Sequence, residues 1–135
     1  MPSTDTPIAG LDVLVVEDEA IVAINLESML EELGCSILGP IMQLDKAIQA
    51  VGKGMTPAVA ILDVNLNGQR VFPLARLLTA QGTPIVFATG YGREGLPADW
   101  QDFPVIQKPY TLQQVADAVV LAVNGGQSDI GASPA

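Results

Sequence analysis

Glu17, Asp18, Asp63, Asn65, Thr89 and Lys108 are the residues of this chain whose types and spacing could do chemistry together. Glu17 and Asp18 follow the apolar run 11–16, Asp63 follows 58–62, Thr89 follows 84–88, and Lys108 comes just after Val105-Ile106. If each run is a strand of one parallel sheet, these ends converge, because ligands of open α/β sheets bind beyond the carboxyl ends of the strands. Three carboxylates on one rim repel one another, and a divalent cation is the simplest remedy. Mg²⁺ takes hard oxygen ligands and keeps several waters. Asp18 and Asp63 are placed to bind it directly, Glu17 through a water, and the Asn65 carbonyl would complete the protein's share. Asp63 then serves as a nucleophile toward a phosphoryl group, as in aspartyl-phosphate chemistry. Lys108 supplies a compact positive charge and Thr89 a hydroxyl donor, which suits a reaction governed by positioning and electrostatics. Taken singly, Lys108 reads as a solvated lysine and 17–19 as acids favourable at a helix N-terminus; their joint placement at successive strand ends decides otherwise.

Composition narrows the alternatives. The chain has 135 residues, 49% of them hydrophobic and 16% charged, which suits one packed domain. Its 15 acids against 6 bases give a formal net charge of −9, which repels nucleic acid and anionic lipid alike. There is no histidine, so His-based acid–base catalysis, Ser-His-Asp triads and phosphohistidine donation by this chain are excluded. No apolar stretch approaches the roughly 18 to 20 residues that span a bilayer. The first residues carry neither a basic region nor an apolar core of a secretory signal. A lone cysteine, Cys35, fits a small apolar filler and a reducing cytoplasm. The expected setting is cytoplasmic, with no nucleic-acid or membrane partner.

The elements that must position the polar set follow from periodicity. Val22, Leu26, Met29 and Leu33 repeat at helical spacing and stop at Gly34. Residues 35–38 read as a second strand closed by Gly39-Pro40, and Leu44, Ile48 and Val51 as a second helical stripe. Asn67-Gly68, without a second alternating strand behind it, reads as a loop into the helix of Val71, Leu74, Ala75 and Leu78 rather than as a hairpin. The last helix carries Leu112, Val115, Val119 and Val123. Short strands apolar on both faces, alternating with helices, imply an α/β fold: a doubly wound, five-stranded parallel sheet. Residues 1–10 are expected as a flexible arm, 11–123 as the domain and 124–135 as a flexible tail. Between Thr89 and Lys108, Gly90, Gly92, Gly95 and Pro97 each oppose a helix, at about 1 to 3 kcal/mol apiece. The fourth helix is therefore predicted to be missing, one-turn or mobile, with 94–100 as its only candidate.

With those elements in place, Leu14-Val15-Val16-Glu17-Asp18-Glu19, Ile61-Leu62-Asp63-Val64-Asn65-Leu66, Ala88-Thr89-Gly90 and Lys108-Pro109-Tyr110 resemble the response-regulator receiver domains of two-component signalling. The resemblance implies a flavodoxin-like receiver fold, with Glu17 and Asp18 as the acidic Mg²⁺ pair and Asp63 accepting phosphate from a sensor histidine kinase. Thr89 would be the switch hydroxyl, Lys108 the partner of the phosphoryl group, and the Lys108-Pro109 bond cis. Phe87-Ala88-Thr89-Gly90-Tyr91-Gly92 is similar to the FATGUY class, associated with HWE-type kinases and stress signalling. The implied function is a single-domain response regulator that signals by protein contact or phosphorelay and is no enzyme beyond turning over its own phosphate.

One departure stands out, because Val105 occupies the place where such domains carry a switch Tyr or Phe. A phosphorylation-dependent ordering of the segment after Thr89 is the substitute the sequence suggests. The principal rival is a small Mg²⁺-dependent phosphohydrolase with an Asp nucleophile. Such enzymes usually place the nucleophile after the first strand with a second Asp two residues on, where this chain has Asn65 following its third strand. A receiver-like binder that is never phosphorylated and a flavodoxin-like nucleotide binder are further alternatives; the intact acid–Asp–Thr–Lys set opposes the first and the lack of a Gly-rich phosphate loop the second.

Overall fold

The computed structural model describes residues 8–126. In it the apolar runs become β1 (Asp12–Val16), β2 (Ser36–Ile41), β3 (Val59–Asp63), β6 (Ile85–Thr89) and β7 (Val105–Gln107). They form one parallel sheet in the order β2-β1-β3-β6-β7. The helices are α1 (Ala20–Glu32), α2 (Leu44–Gly52), α3 (Phe72–Ala80) and α4 (Leu112–Leu121). The strands read as unbroken apolar runs because each side chain alternates between two covered faces. Leu14, Val16, Ala60, Leu62, Ile85 and Phe87 pack under α2 and α3. Val13, Val15, Val59, Ile61, Val86 and Ala88 pack under α1 and α4. The five-stranded α/β architecture is thus the one expected.

Between β6 and β7 there is no α-helix. Two single 3₁₀ turns, Arg93–Gly95 and Ala98–Trp100, stand in its place. Trp100 covers the sheet instead, stacked on Phe72 at 5.7 Å and meeting Phe87 edge-on at 5.7 Å. Arg93 bonds the carbonyls of Gln101 and Phe103, and Gln101 Nε2 donates to Leu96 O at 2.8 Å. The start of α4 is fixed by a reciprocal cap: Gln114 N–H donates to Thr111 Oγ1 at 3.1 Å and Thr111 N–H to Gln114 Oε1 at 2.8 Å.

Three local expectations are corrected. First, Asn67-Gly68 is a hairpin turn after all: β4 (Asn65–Leu66) pairs antiparallel with β5 (Gln69–Arg70). Asn67 and Gly68 have φ of 52° and 87°, the paired left-handed conformation of a tight two-residue turn, which needs only one short ladder behind it. Second, β2 runs through Gly39-Pro40 to Ile41 rather than stopping there, with that peptide bond cis. Gly39 has φ of +100°, and a Cβ there would meet Ile41 N at 2.7 Å. Third, the inner edges of the expected arm (1–10) and tail (124–135) carry structure at 8–10 and 124–126. Ile8 is fully buried among Val13, Leu30 and Val119. The Cys35 thiol donates to Ile8 O at 3.4 Å, and Gly10 N–H to Gly34 O at 2.8 Å. At the other end the chain continues beyond α4 as a π-type turn over Ala122–Gly126. A lone isoleucine in a polar stretch has no periodicity, so its burial left no pattern to read. The remainder of both segments, 1–7 and 127–135, lies outside the described residues.

Ile8 therefore belongs to the core. Ile8→Ala is expected to cost about 2–5 kcal/mol of unfolding free energy, measured by urea denaturation. A change near zero would make residues 8–10 the loose arm that composition suggests.

Candidate functional site

The parallel register brings the polar strand ends together. Val16 pairs with Leu62, Asp63 with Ala88, and Thr89 with Gln107. Glu17 follows Val16 at the end of β1, and Lys108 follows β7, its N–H donating to Thr89 O at 2.9 Å. Strand alternation sends Glu17, Asp63 and Lys108 to the side of the sheet covered by α1 and α4. There Lys108 Nζ lies 3.0 Å from Glu17 Oε1, 3.1 Å from Asp63 Oδ2 and 3.9 Å from Glu19 Oε1. Ligand oxygens of Glu17, Asp18 and Asp63 all lie within 4.8 Å of one another. Among the described residues this is the one such grouping of acidic, Cys or His side chains. An all-oxygen donor set of this kind fits a hard divalent cation such as Mg²⁺ and would not select a soft metal.

Backbone donors hold the carboxylates. Glu19 N–H donates to Glu17 Oε2 at 3.1 Å, at the start of α1. Asn65 N–H donates to Asp63 Oδ1 at 3.2 Å, and Asn67 N–H to Asp18 Oδ2 at 2.9 Å. Asn65 is committed here through its amide and its side chain, whose Oδ1 accepts from Gly68 N–H at 3.1 Å. Thr89 is buried at its strand end, but its Oγ1 accepts from Tyr91 N–H at 3.1 Å, closing its own loop. It shares strand parity with Phe87, opposite to that of Asp63. Four predicted site residues, Glu17, Asp18, Asp63 and Lys108, are thus in one cluster; Thr89 stands at the next strand end, turned to its loop.

Burial sets the electrostatics. It pushes the Glu17 carboxyl up to about 7, reinforced by Asp63 and opposed by Lys108. Asp63 is also raised by burial, against the lowering pull of Glu17 and Lys108. Both members of the pair are thus shifted toward their neutral forms by burial, with Lys108 opposing the shift in each. For Asp18 burial works upward, but the Asn67 N–H and the neighbouring carboxyls hold it below its ordinary value. Burial works against the charge of Lys108, yet Glu17 and Asp63 hold its pKa above the usual lysine value.

Three groups not among the predicted site residues also stand at the rim. Glu19 reaches Lys108 from the helix start, and the Asn67 amide serves Asp18 only because the hairpin forms. Tyr110 is the third: burial, then the Glu17 charge, pushes its phenol up to about 12, and its hydroxyl has no hydrogen-bond partner.

The Glu17 shift has a consequence for the metal-free protein. Between 4.5 and about 7 the folded chain holds a proton on Glu17 that the unfolded chain releases. Stability from this group is therefore full below 4.5 and is lost as pH rises toward 7. With a chelator present, wild type should lose stability relative to Glu17→Gln across that interval, read by urea denaturation at several pH values. A stability difference that does not vary with pH would overturn the assignment.

Comparison with known proteins bears on this geometry. Residues 13–120 match the family model of the response regulator receiver domain. The solution structure of SdrG from Sphingomonas melonis Fr1 superposes with a TM-score of 0.74 at 38% identity, covering 82% of this chain and 94% of that one. SdrG in its BeF₃-activated conformation superposes with a TM-score of 0.73, also at 38% identity, covering 85% and 98%. The phyllosphere-induced regulator PhyR of Methylorubrum extorquens is 24% identical over 120 residues, which are 87% of this chain and 45% of PhyR. The chain spans about half the length of that relative. The match through 108 consecutive positions (13 to 120) and the likeness to SdrG over nearly its whole length lead to one family: this chain belongs to the response regulator receiver domains of two-component signalling.

Proposed function

We propose that this chain is a response-regulator receiver that accepts a phosphoryl group on Asp63 from a phosphohistidine of a sensor histidine kinase. The observation that carries this reading is the Asp63 carboxylate at the end of β3, 3.1 Å from Lys108 Nζ and within reach of Glu17 and Asp18. In the transfer, an Asp63 carboxylate oxygen forms a bond to phosphorus as the donor's P–N bond breaks, and the electron pair leaves on the imidazole nitrogen. Lys108 then pairs with the transferred oxygens, and the Thr89 hydroxyl leaves the Tyr91 amide to donate to them. Glu17, Asp18, Asp63 and the Asn65 carbonyl would hold Mg²⁺, which neutralises charge on the transferring group when bound.

Residues 11–123, extended at the N-terminal side to Ile8, form the receiver unit in this reading. Its output is protein–protein contact or onward transfer of the phosphoryl group, in the cytoplasm and without nucleic-acid or membrane contact. The likeness to SdrG, known in a BeF₃-activated conformation, supports phosphoryl-type activation. The run 87–92 and the likeness to PhyR, whose solved homologue is named a stress response regulator, support a stress pathway and an HWE-type kinase. Catalysis is limited to the chain's own phosphorylation and dephosphorylation.

Incubation with Mg²⁺ and a small phosphodonor, followed by intact mass, tests the core of this. Wild type should gain the mass of one phosphoryl group; Asp63→Asn and chelator-treated wild type should gain none. No gain by wild type at any Mg²⁺ concentration, or an equal gain by Asp63→Asn, would sink the reading.

A further inference from the structure

The connection between β6 and β7 starts at Thr89, beside the acidic rim, and it reaches the rim by a separate route. The β4–β5 hairpin begins two residues after Asp63, and two of its amides are held by the rim itself. Asn65 N–H bonds Asp63 Oδ1 at 3.2 Å, and Asn67 N–H bonds Asp18 Oδ2 at 2.9 Å. Arg70, the last hairpin residue, pairs with Asn65 across the ladder. Its guanidinium reaches the other way. Arg70 Nη2 donates to Gly95 O at 3.4 Å, and Cζ stands 5.3 Å from the Phe72 ring centroid. Phe72 in turn stacks on Trp100, 28° from parallel. Trp100 and Leu96 anchor the connection in the core.

We infer that Arg70 is a positioning residue that transmits the state of the Asp63–Asp18 rim to the 93–100 connection, by a route that bypasses the Thr89 hydroxyl. This rests on the phosphoryl-acceptor reading above. Whatever alters the oxygens that Asp63 and Asp18 offer alters the acceptors of the Asn65 and Asn67 amides. A ladder of two residues on each side has no slack in which to absorb that change, so its far corner, Arg70, moves with it. Gly95 and the Phe72 ring take up the motion because a planar guanidinium both donates and stacks, which an ammonium does not do equally. The connection is receptive: its regular structure is two single 3₁₀ turns, and most of its side-chain hydrogen bonds are exposed.

The test uses the full chain with Mg²⁺ and beryllofluoride, which stands in for the phosphoryl group on an aspartate. Two signals are read: the Asn65 amide by NMR, for the rim, and the fluorescence of Trp100, the only tryptophan, for the connection. Wild type should respond in both. Arg70→Met, a change at an exposed side chain, should keep the Asn65 response while the Trp100 response falls about threefold or more. Arg70→Lys should show the same separation, since charge alone does not supply the fork and the stack. An undiminished Trp100 response in Arg70→Met, or full restoration by lysine, overturns the inference. So does loss of the Asn65 response in the variants, because Arg70 would then act on the rim itself. If wild type responds at neither signal, it is the phosphoryl-acceptor reading that has failed, and this inference falls with it.

Discussion

Three carboxyl groups within 4.8 Å of one another, two of them buried, are the constraint around which the molecule is organised. A folded chain can hold such a group only by supplying positive charge, donors or protons. This one supplies all three. Lys108 bridges Glu17 and Asp63, three backbone amides serve the three acids, and Glu17 retains a proton near neutral pH. For Asp18 and Lys108 these partners outweigh burial, whereas for Glu17 and Asp63 burial prevails.

The amides and the lysine are where they are because of the sheet. Parallel pairing puts the carboxyl ends of β1, β3, β6 and β7 in one row, and strand parity sorts the side chains at those ends. Glu17 continues the alternation of Val13 and Val15; Asp63 continues that of Val59 and Ile61. Both therefore emerge toward α1 and α4, together with Lys108. Thr89 continues the alternation of Ile85 and Phe87 and faces the opposite way, toward the aromatic cluster. That one-residue offset separates Thr89 from the carboxylates and leaves its hydroxyl to accept from the Tyr91 amide.

This division also explains what the sequence disclosed. Apolar runs ending in acids, a threonine and a lysine carried the sheet, the site residues and even the missing fourth helix, because each depends on local pattern or on turn-prone residues such as Gly90, Gly92, Gly95 and Pro97. What stayed hidden depends on a single residue meeting something distant. Ile8 fills a gap between α1 and α4 that no periodicity marks. Asn67-Gly68 was set aside as a hairpin because the flanking residues do not alternate, yet a two-residue ladder has no room to alternate. The Asn67 contact with Asp18 and the Arg70 contact with Gly95 span 49 and 25 positions, and both exist only because that hairpin does.

Val105 brings these strands of reasoning together. A receiver with an aromatic at that position can couple it to the threonine beside it, and this chain cannot. The aromatic mass has moved instead into the connection and beneath it: Phe103 and Trp100 lie 5.8 and 5.7 Å from Phe87, whose register partner on β7 is Val105. These rings cover the sheet where a helix between β6 and β7 would otherwise lie, within a segment rich in glycine and proline. The segment begins directly after Thr89, whose hydroxyl accepts from the Tyr91 amide within it.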